Sequence, residues 1–400
     1  MNHIPRLYES MLSEHLQKNR QMAFVSGSRQ VGKTTIAKRL SSSYQNWDAK
    51  RFRDAVLAGE EAVAELTGIH MLADLPPVLA FDEIHKFPKW KSFLKGFFDL
   101  HGDTAKIIVA GSARMDVFRR GGDSLMGRYF RYRMHPFSIG EIACPSLRGK
   151  EPVRPPTNIA DADWEALQAH GGFPEPYVRR DATFLRRWNA LRKEQLLRED
   201  VRDLTRVFEV EQIFILASIL ETRSGDPLVY ASLARDVQAS ENTIRNWVSI
   251  LNSLHFGFSV KPWHRNVENA IRKTPKWYLR DWSGIEEAGS RNETLVACHL
   301  LKAVECWTDI GIGDFDLHYI RDKQKREVDF LVTRDRKPWF IVEAKTSDTH
   351  LSSALARMQT ATGARHAFQV VMNLPFVEAD CFGATQPVIV PARTFLSQLP

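Results

Sequence analysis

Cysteine is scarce in this chain. Only Cys144, Cys298, Cys306 and Cys381 occur among 400 residues, and no two are close in sequence. That argues against a disulfide framework and against the paired spacing of a zinc site. Long apolar runs are also missing. No stretch nears the ~18 apolar residues needed to cross a bilayer, so no membrane partner is expected. The first residues, M-N-H-I-P-R-L-Y-E, lack a signal-peptide pattern, and the expected location is cytoplasmic. Charge of one sign is in modest excess: 55 Lys and Arg against 48 Asp and Glu leave a net +7. Such a balance is compatible with nucleic acid without demonstrating it. The length suggests two or three domains, each able to bury its own core.

What the chain does have is a glycine-framed phosphate motif. Gly27, Ser28, Arg29, Gln30, Val31, Gly32, Lys33 and Thr34 read G-S-R-Q-V-G-K-T, after the apolar run Met22–Ser26 and before a helix expected to open at Thr35. Between strand and helix, such a turn points backbone N–H groups at a phosphate chain. Lys33 would reach the β- and γ-phosphates of ATP, and the Thr34 hydroxyl would ligate Mg²⁺. Farther on, V-L-A-F-D-E at Val78–Glu83 is an apolar strand ending in two acids. Asp82 would hold the magnesium through water, and Glu83 would polarise the attacking water. Adjacent strand residues point to opposite sides, so neighbouring acids serve one site only at a strand end.

A third apolar strand, Lys106–Ala110, is expected beside the acidic one. It ends at Gly111-Ser112, where Ser112 is either a sensor of the γ-phosphate or a plain turn residue. Between these strands Trp90, Phe93, Leu94, Phe97 and Phe98 recur at helical spacing over Trp90–His101 and read as core. Arginines then crowd the chain: Arg114, Arg119, Arg120, Arg128, Arg131 and Arg133. In ring-forming ATPases a neighbouring subunit's arginine completes the site, and Arg128, followed by Arg131, is the candidate in a homo-oligomer. A basic exposed face is the competing reading.

Prolines at 145, 152, 155 and 156 mark a boundary, and G-G-F-P-E-P follows at Gly171–Pro176. Residues 183–207 then read as an arginine-rich helix with interleaved acids, a solvated face. A helix-turn-helix is predicted over Tyr230–Phe256. Its first helix is Ser232–Val237, Gln238-Ala239 make the turn, and Ser240 caps the second helix. Ile244, Trp247, Val248 and Leu251 form an apolar stripe, while Glu241, Asn242, Arg245 and Asn246 lie on the exposed side, as in recognition helices. Lys261, His264, Arg265, Arg272, Lys273, Lys276 and Arg280 follow. DNA contact and protein docking both fit.

The last third carries a second chemical signal. K-R-E-V-D-F-L-V-T (325–333) and W-F-I-V-E-A-K (339–345) read as strands joined by R-D-R-K-P. Pairing Thr333 with Trp339 sets Asp329 opposite Glu343 and Glu327 opposite Lys345, close enough to share a divalent cation. Asp329 and Glu343 would hold Mg²⁺ or Mn²⁺ against a scissile phosphate, with Lys345 orienting water or stabilising developing charge. Glu293, in the helical run E-T-L-V-A-C-H-L-L-K, would add another acid. A charged outer face with a Glu327–Lys345 pair is the bland alternative.

Taken in order, G-S-R-Q-V-G-K-T, F-D-E-I-H-K-F-P-K-W, A-G-S, S-L-M-G-R, H-P-F-S, G-G-F-P-E-P, R-E-V-D-F and V-E-A-K resemble a large prokaryotic family. Its members are AAA+ superfamily ATP-binding proteins with a C-terminal domain of unknown function, itself similar to PD-(D/E)xK nucleases. The resemblance implies an α/β fold in three parts. Residues 1–150 would be a phosphate-loop ATPase with a doubly wound parallel sheet. Residues 151–285 would be a helical and winged-helix middle, and 286–400 a restriction-endonuclease-like domain. Two functions fit: an ATP-hydrolysing enzyme coupled to DNA binding or cleavage, or an ATP-operated switch with a non-catalytic docking end.

Overall fold

A computed structural model describes residues 4–72, 74–111, 125–147, 149, 151–201, 209–264, 274–322, 324 and 326–400, without the side chains of 199 and 200. The expected sites Ser112, Arg114, Arg119, Arg120, Arg265, Arg272 and Lys273 lie outside the described residues. The chain divides into two units. The first holds Met1–His135 with Pro145–Leu147, and the second holds Pro136–Cys144 with Arg148–Pro400.

The first unit is built on five strands: β1 (Met22–Gly27), β2 (Ser43–Asn46), β3 (Val78–Asp82), β4 (Lys106–Ala110) and β5 (Tyr129–Met134). Their order is β2-β3-β4-β1-β5, and every neighbouring pair is parallel. Parallel sheets need cover on both faces, which is why β1 is buried along its whole length. Among the described residues, five helices accompany it: α1 (Leu7–Lys18), α2 (Lys33–Leu40), α3 (Lys50–Ala58), α4 (Glu60–Thr67) and α5 (Trp90–His101). Phe24, Leu79, Phe81, Ile107 and Val109 alternate onto one face and form a core with Phe52 and Val56 of α3, Val63 of α4 and Phe93, Leu94 and Phe97 of α5. The residues between them are smaller on average (Ala23, Val25, Ala80, Ile108 and Ala110), and α2 contacts β1, β3 and β4 without joining that core. The sheet is the parallel scaffold of a phosphate-loop NTPase.

The second unit begins with helices Asp161–His170, Pro174–Arg179 and Ala182–Glu194, the last running into a π-helical turn, Gln195–Asp200. Helix Val210–Glu221 precedes the expected two-helix motif, which appears as Tyr230–Val237 and Glu241–Ser253. Gln238 takes a left-handed φ of 57°, and the Ser240 hydroxyl accepts from the Thr243 N–H at 3.1 Å. The turn and the cap are thus where the sequence reading set them.

Seven strands follow in one mixed sheet, ordered β12-β11-β10-β9-β8-β6-β7. They are β6 (Gly257–Pro262), β7 (Lys276–Leu279), β8 (Phe315–Arg321), β9 (Glu327–Arg334), β10 (Lys337–Lys345), β11 (His366–Val371) and β12 (Val388–Pro391). Helix Ala288–Asp309 contacts β7 through β10, and helix Ser353–Thr362 contacts β9 through β11. The hairpin β6–β7 pairs into this sheet through Lys261↔His318 and Pro262↔Tyr319. The expected division at 285 therefore falls inside one unit, because the strands before it hydrogen-bond to those after it. No described helix is long and apolar enough to cross a membrane.

Candidate functional sites

The phosphate loop leaves the carboxyl end of β1. Gly27 has φ 150°, and a Cβ there would lie 2.2 Å from the Met134 carbonyl oxygen; Gly32 has φ 105°. Both positions therefore require glycine. The helix begins at Lys33, two residues before the expected Thr35. The Lys33 ammonium is 8% exposed and donates to the carbonyls of Gly27 at 2.9 Å and Ser28 at 2.7 Å. Arg6 braces the same loop, donating to the Val31 carbonyl at 2.5 Å and the His135 carbonyl at 2.6 Å.

The acidic strand closes the site from the side. Asp82 is 1% exposed, and its Oδ2 accepts the Thr34 hydroxyl at 2.7 Å. The Tyr44 hydroxyl from β2 donates to the same oxygen at 2.7 Å and accepts from Asn46 at 3.1 Å. Burial, together with Asp82, pushes the Tyr44 hydroxyl up to about 12, so it stays a donor. Glu83 follows with a left-handed φ of 58°, a conformation that turns the chain at the strand end. Burial raises the Glu83 carboxyl above its ordinary value, against the lowering pull of Lys86 and with the raising push of Asp82. Among the described residues its nearest basic groups are Lys86 Nζ at 3.6 Å and His85 Nε2 at 3.7 Å, beyond hydrogen-bond reach. β4 lies between β3 and β1, so its end, Ala110-Gly111, separates the acids from the loop. Ser112 itself lies outside the described residues.

Arg128 stands elsewhere. Its guanidinium grips Asp99 with two bonds, 2.7 Å and 3.0 Å. The parallel register Met22↔Tyr129 and Gly27↔Met134 sets it at the far end of the sheet from this chain's own phosphate loop. At ~3.3 Å per residue, five residues of strand separate the two ends by about 16 Å. Arg131 sits within β5. Thr34 and Asp82 are thus brought together, whereas Arg128 does not reach them.

The second cluster gathers around β9 and β10. Ile341↔Leu331 and Val342↔Phe330 keep the expected register, but Thr333 faces Pro338 rather than Trp339, with a shift at Trp339. Carried one residue onward, the register sets Asp329 beside Glu343. Asp329 Oδ2 accepts the N–H of Ala344 at 2.9 Å. Lys345 Nζ donates to Glu343 Oε1 at 2.9 Å, and Glu343 Oε2 is buried with no hydrogen-bond partner. Burial pushes the Asp329 carboxyl well above its ordinary range, helped by Glu293 and Glu343 and opposed by Lys276.

Glu327 is a correction. It does not pair with Lys345; it pairs with Lys276 at 2.7 Å and Arg321 at 3.8 Å. The cause is an extra residue in β9, which advances from Val328 to Leu331 while β8 advances only from Ile320 to His318. Such a bulge breaks the two-residue alternation and re-aims side chains. Val328 accordingly joins Leu331 and Ile341 in one core, rather than Phe330 and Val332 on the other face.

Lys276 and Arg280, two of the basic residues that follow the two-helix motif, are buried, at 4% and 8% exposed. Lys276 Nζ lies 3.1 Å from Glu293 Oε1 and 3.9 Å from Asp329 Oδ1, and the Tyr278 hydroxyl donates to Glu293 Oε1 at 2.6 Å. Burial pulls the Lys276 ammonium down, but the three acids outweigh it and hold it above its ordinary value. Among the described residues, no three His, Cys, Asp or Glu side chains are placed to hold a metal together. Glu241, Asn242, Arg245 and Asn246 are all exposed, as expected. Sequence reading missed Arg6, Tyr44 and Tyr278, and it did not place Lys276 among the acids. Only K-W-Y-L at 276–279, a short strand-like run, offered a signal.

Comparison with known proteins matches three successive segments of the chain. Residues 19–143 match an AAA domain, 161–288 a domain of unknown function (DUF8612), and 288–375 another (DUF4143). Uncharacterized proteins of Mycobacterium bovis and Mycobacterium tuberculosis are each 21% identical over 377 residues, spanning 90% of this chain and 80% of the relative. Among solved structures, the chain is similar to the Aeropyrum pernix ORC1 protein in complex with DNA (TM-score 0.34, 13% identity, 74% of this chain, 94% of that one). It is also similar to the S. cerevisiae Hsp104–ADP complex (TM-score 0.30, 17% identity, 77% and 44%). The parallel sheet and the glycine-framed loop accord with the match of residues 19–143 to an AAA domain.

Proposed function

We propose that this protein is a Mg²⁺-dependent ATP hydrolase whose nucleotide cycle controls a carboxylate–lysine centre that acts on nucleic acid. The observation that carries the first half is the 2.7 Å contact between Thr34 and Asp82, which joins the phosphate loop to the acidic strand end. Bound magnesium would supply charge neutralisation at the phosphates. Lys33 would leave the Gly27 and Ser28 carbonyls for the β- and γ-oxygens, while the loop's N–H groups cradle the chain. Thr34 and Asp82 would hold the metal, and Tyr44 would keep Asp82 oriented. Glu83, loosely held and partly desolvated, would accept the proton of the attacking water.

The second half is supported by the assembly of Asp329, Glu343 and Lys345 on one hairpin, with Glu293 adjacent. Asp329 and the unpartnered oxygen of Glu343 suit a divalent cation, and Lys345 suits a water or a developing charge. The exposed start of helix Glu241–Ser253 suits a nucleic-acid groove. Purified protein tests this directly. ATPase activity should disappear in Lys33→Ala, and metal-dependent cleavage of DNA or RNA should disappear in Asp329→Ala. Cleavage that survives Asp329→Ala would remove the proposed centre.

One observation favours a second reading, an ATP-operated switch with a docking end. The Lys276 ammonium already neutralises Glu293 and Glu327. In that case no divalent metal supports cleavage, and a protein partner changes ATP turnover. A homo-oligomer completed by Arg128 predicts an ATP-dependent mass increase in light scattering.

A further inference from the structure

We propose that Lys276 is a built-in counter-ion that holds the place of a divalent cation in the C-terminal centre, and that Mg²⁺ or Mn²⁺ binds there by displacing its ammonium. This rests on the carboxylate–lysine reading above, but concerns loading of the centre rather than cleavage.

Three carboxylates from two elements converge on one side chain. Glu293 comes from helix Ala288–Asp309, and β9 supplies Glu327, just before its bulge, and Asp329, within it. Their oxygens lie 3.1, 2.7 and 3.9 Å from Lys276 Nζ, whose side chain is 6% exposed. Tyr278, two residues along β7, fixes Glu293 by a 2.6 Å hydrogen bond. An ammonium is a compact point charge on a flexible stem, so it can fill such a position and also leave it.

A second observation points past the lysine. Glu343 is 8% exposed, yet its Oε2 has no hydrogen-bond partner. A buried carboxylate oxygen left unpaired is costly. Lys345 satisfies only the other oxygen, and Lys276 is occupied by Glu293, Glu327 and Asp329. Four carboxylates (Glu293, Glu327, Asp329 and Glu343) thus face two lysines, with Arg321 reaching only Glu327, at 3.8 Å. A dication held by Asp329 and Glu343 would satisfy the stranded oxygen and correct the charge. The ammonium beside Asp329 opposes its entry by like charge, so loading and lysine withdrawal are one event.

The test uses the full chain, without nucleotide, in an Asp82→Asn background that silences the first metal site. Mn²⁺ binding is read by electron paramagnetic resonance. Lys276→Met should bind one Mn²⁺ at least ten-fold more tightly than the parent, and Lys276→Arg should bind as weakly as the parent. Adding Asp329→Asn to Lys276→Met should erase the gain. Equal affinity in Lys276→Met and parent, or a gain that survives Asp329→Asn, would overturn the proposal. A measurement on unaltered Lys276 guards against a variant that does not fold. Saturating Mn²⁺ should raise acylation of Lys276, quantified by mass spectrometry, several-fold over metal-free protein; unchanged labelling sinks the displacement. Mn²⁺ binding with no cleavage of any nucleic acid would reject the nuclease reading and leave this one standing.

Discussion

Replacing Glu83 by Gln separates chemistry from binding. The substitution keeps size and shape but removes the proton acceptor. General-base catalysis contributes typically ~10²–10⁴-fold, about 2.7–5.5 kcal/mol of barrier. The competing explanation is loss of structure, and the geometry bounds it. Among the described residues the nearest basic groups to Glu83 are Lys86 at 3.6 Å and His85 at 3.7 Å, and the Lys86 and Glu83 side chains are 33% and 23% exposed. Pairs of this kind contribute about 1 kcal/mol or less, which accounts for roughly a five-fold effect. The Thr34–Asp82 bond and the Lys33 contacts do not involve Glu83. ATP affinity should therefore stay within about three-fold, while kcat falls at least 100-fold, on the order of the general-base contribution. Isothermal titration with ATP and a phosphate-release assay read the two separately. Hydrolysis at the unmodified rate would show that another group activates the water, and a parallel loss of binding would show that Glu83 shapes the loop.

Three other outcomes are expected. Thr34→Val removes a hydroxyl bonded to a buried carboxylate, worth about 1.5–3 kcal/mol, and should raise the half-saturating Mg²⁺ concentration about ten-fold or more in an ATPase titration. Lys302→Met removes the buried cation that pairs with Glu141 at 2.5 Å, both residues being 1% exposed; chemical denaturation should register a loss of about 3–5 kcal/mol, and Lys302→Met with Glu141→Gln a smaller one. His299 accepts the Ile139 N–H at 3.1 Å, and burial holds its pKa at about 4. Below pH 6.5 the unfolded ring binds a proton that the folded ring refuses, so stability falls between pH 6.5 and 4, by at most about 3 kcal/mol. His299→Gln should flatten the denaturation midpoint in that window relative to unmodified protein, and identical slopes would discard the assignment.

The amino-terminal site was legible because its signals are local. Apolar runs of strand length ended at the glycine turn and at Asp82, and parallel burial needs nothing more. The two-helix motif was legible for the same reason, through a turn and a capping serine. Tyr44 was invisible, because S-Y-Q-N at 43–46 is polar and becomes a strand only through pairing with β3. The place of Lys276 was hidden because it depends on β6 joining β8, a contact between segments about 60 residues apart. The bulge at Asp329 was equally hidden. Residues 327–334 alternate well enough for a regular strand, and the extra residue exists only relative to β8. Face assignments from alternation hold until a partner strand changes the count.

Both sites show the same physical constraint on resting carboxylates. An acid buried to the degree of Asp82 must be supplied with donors, and the fold supplies Thr34 and Tyr44. In the C-terminal centre the donors are the Ala344 amide, Lys345, Tyr278 and Lys276. Each donor that stabilises the unloaded site is one that a metal must share or displace. A hydroxyl can do both, keeping its proton on the acid while offering a lone pair to the cation, so Thr34 need not leave Asp82 when magnesium arrives. An ammonium has no lone pair and repels the cation outright. On the proposed reading, magnesium would therefore enter beside the Thr34–Asp82 pair without breaking it, whereas the C-terminal centre would load only when Lys276 moves. That difference would give the chain a physical means to keep its second centre closed while the first turns over.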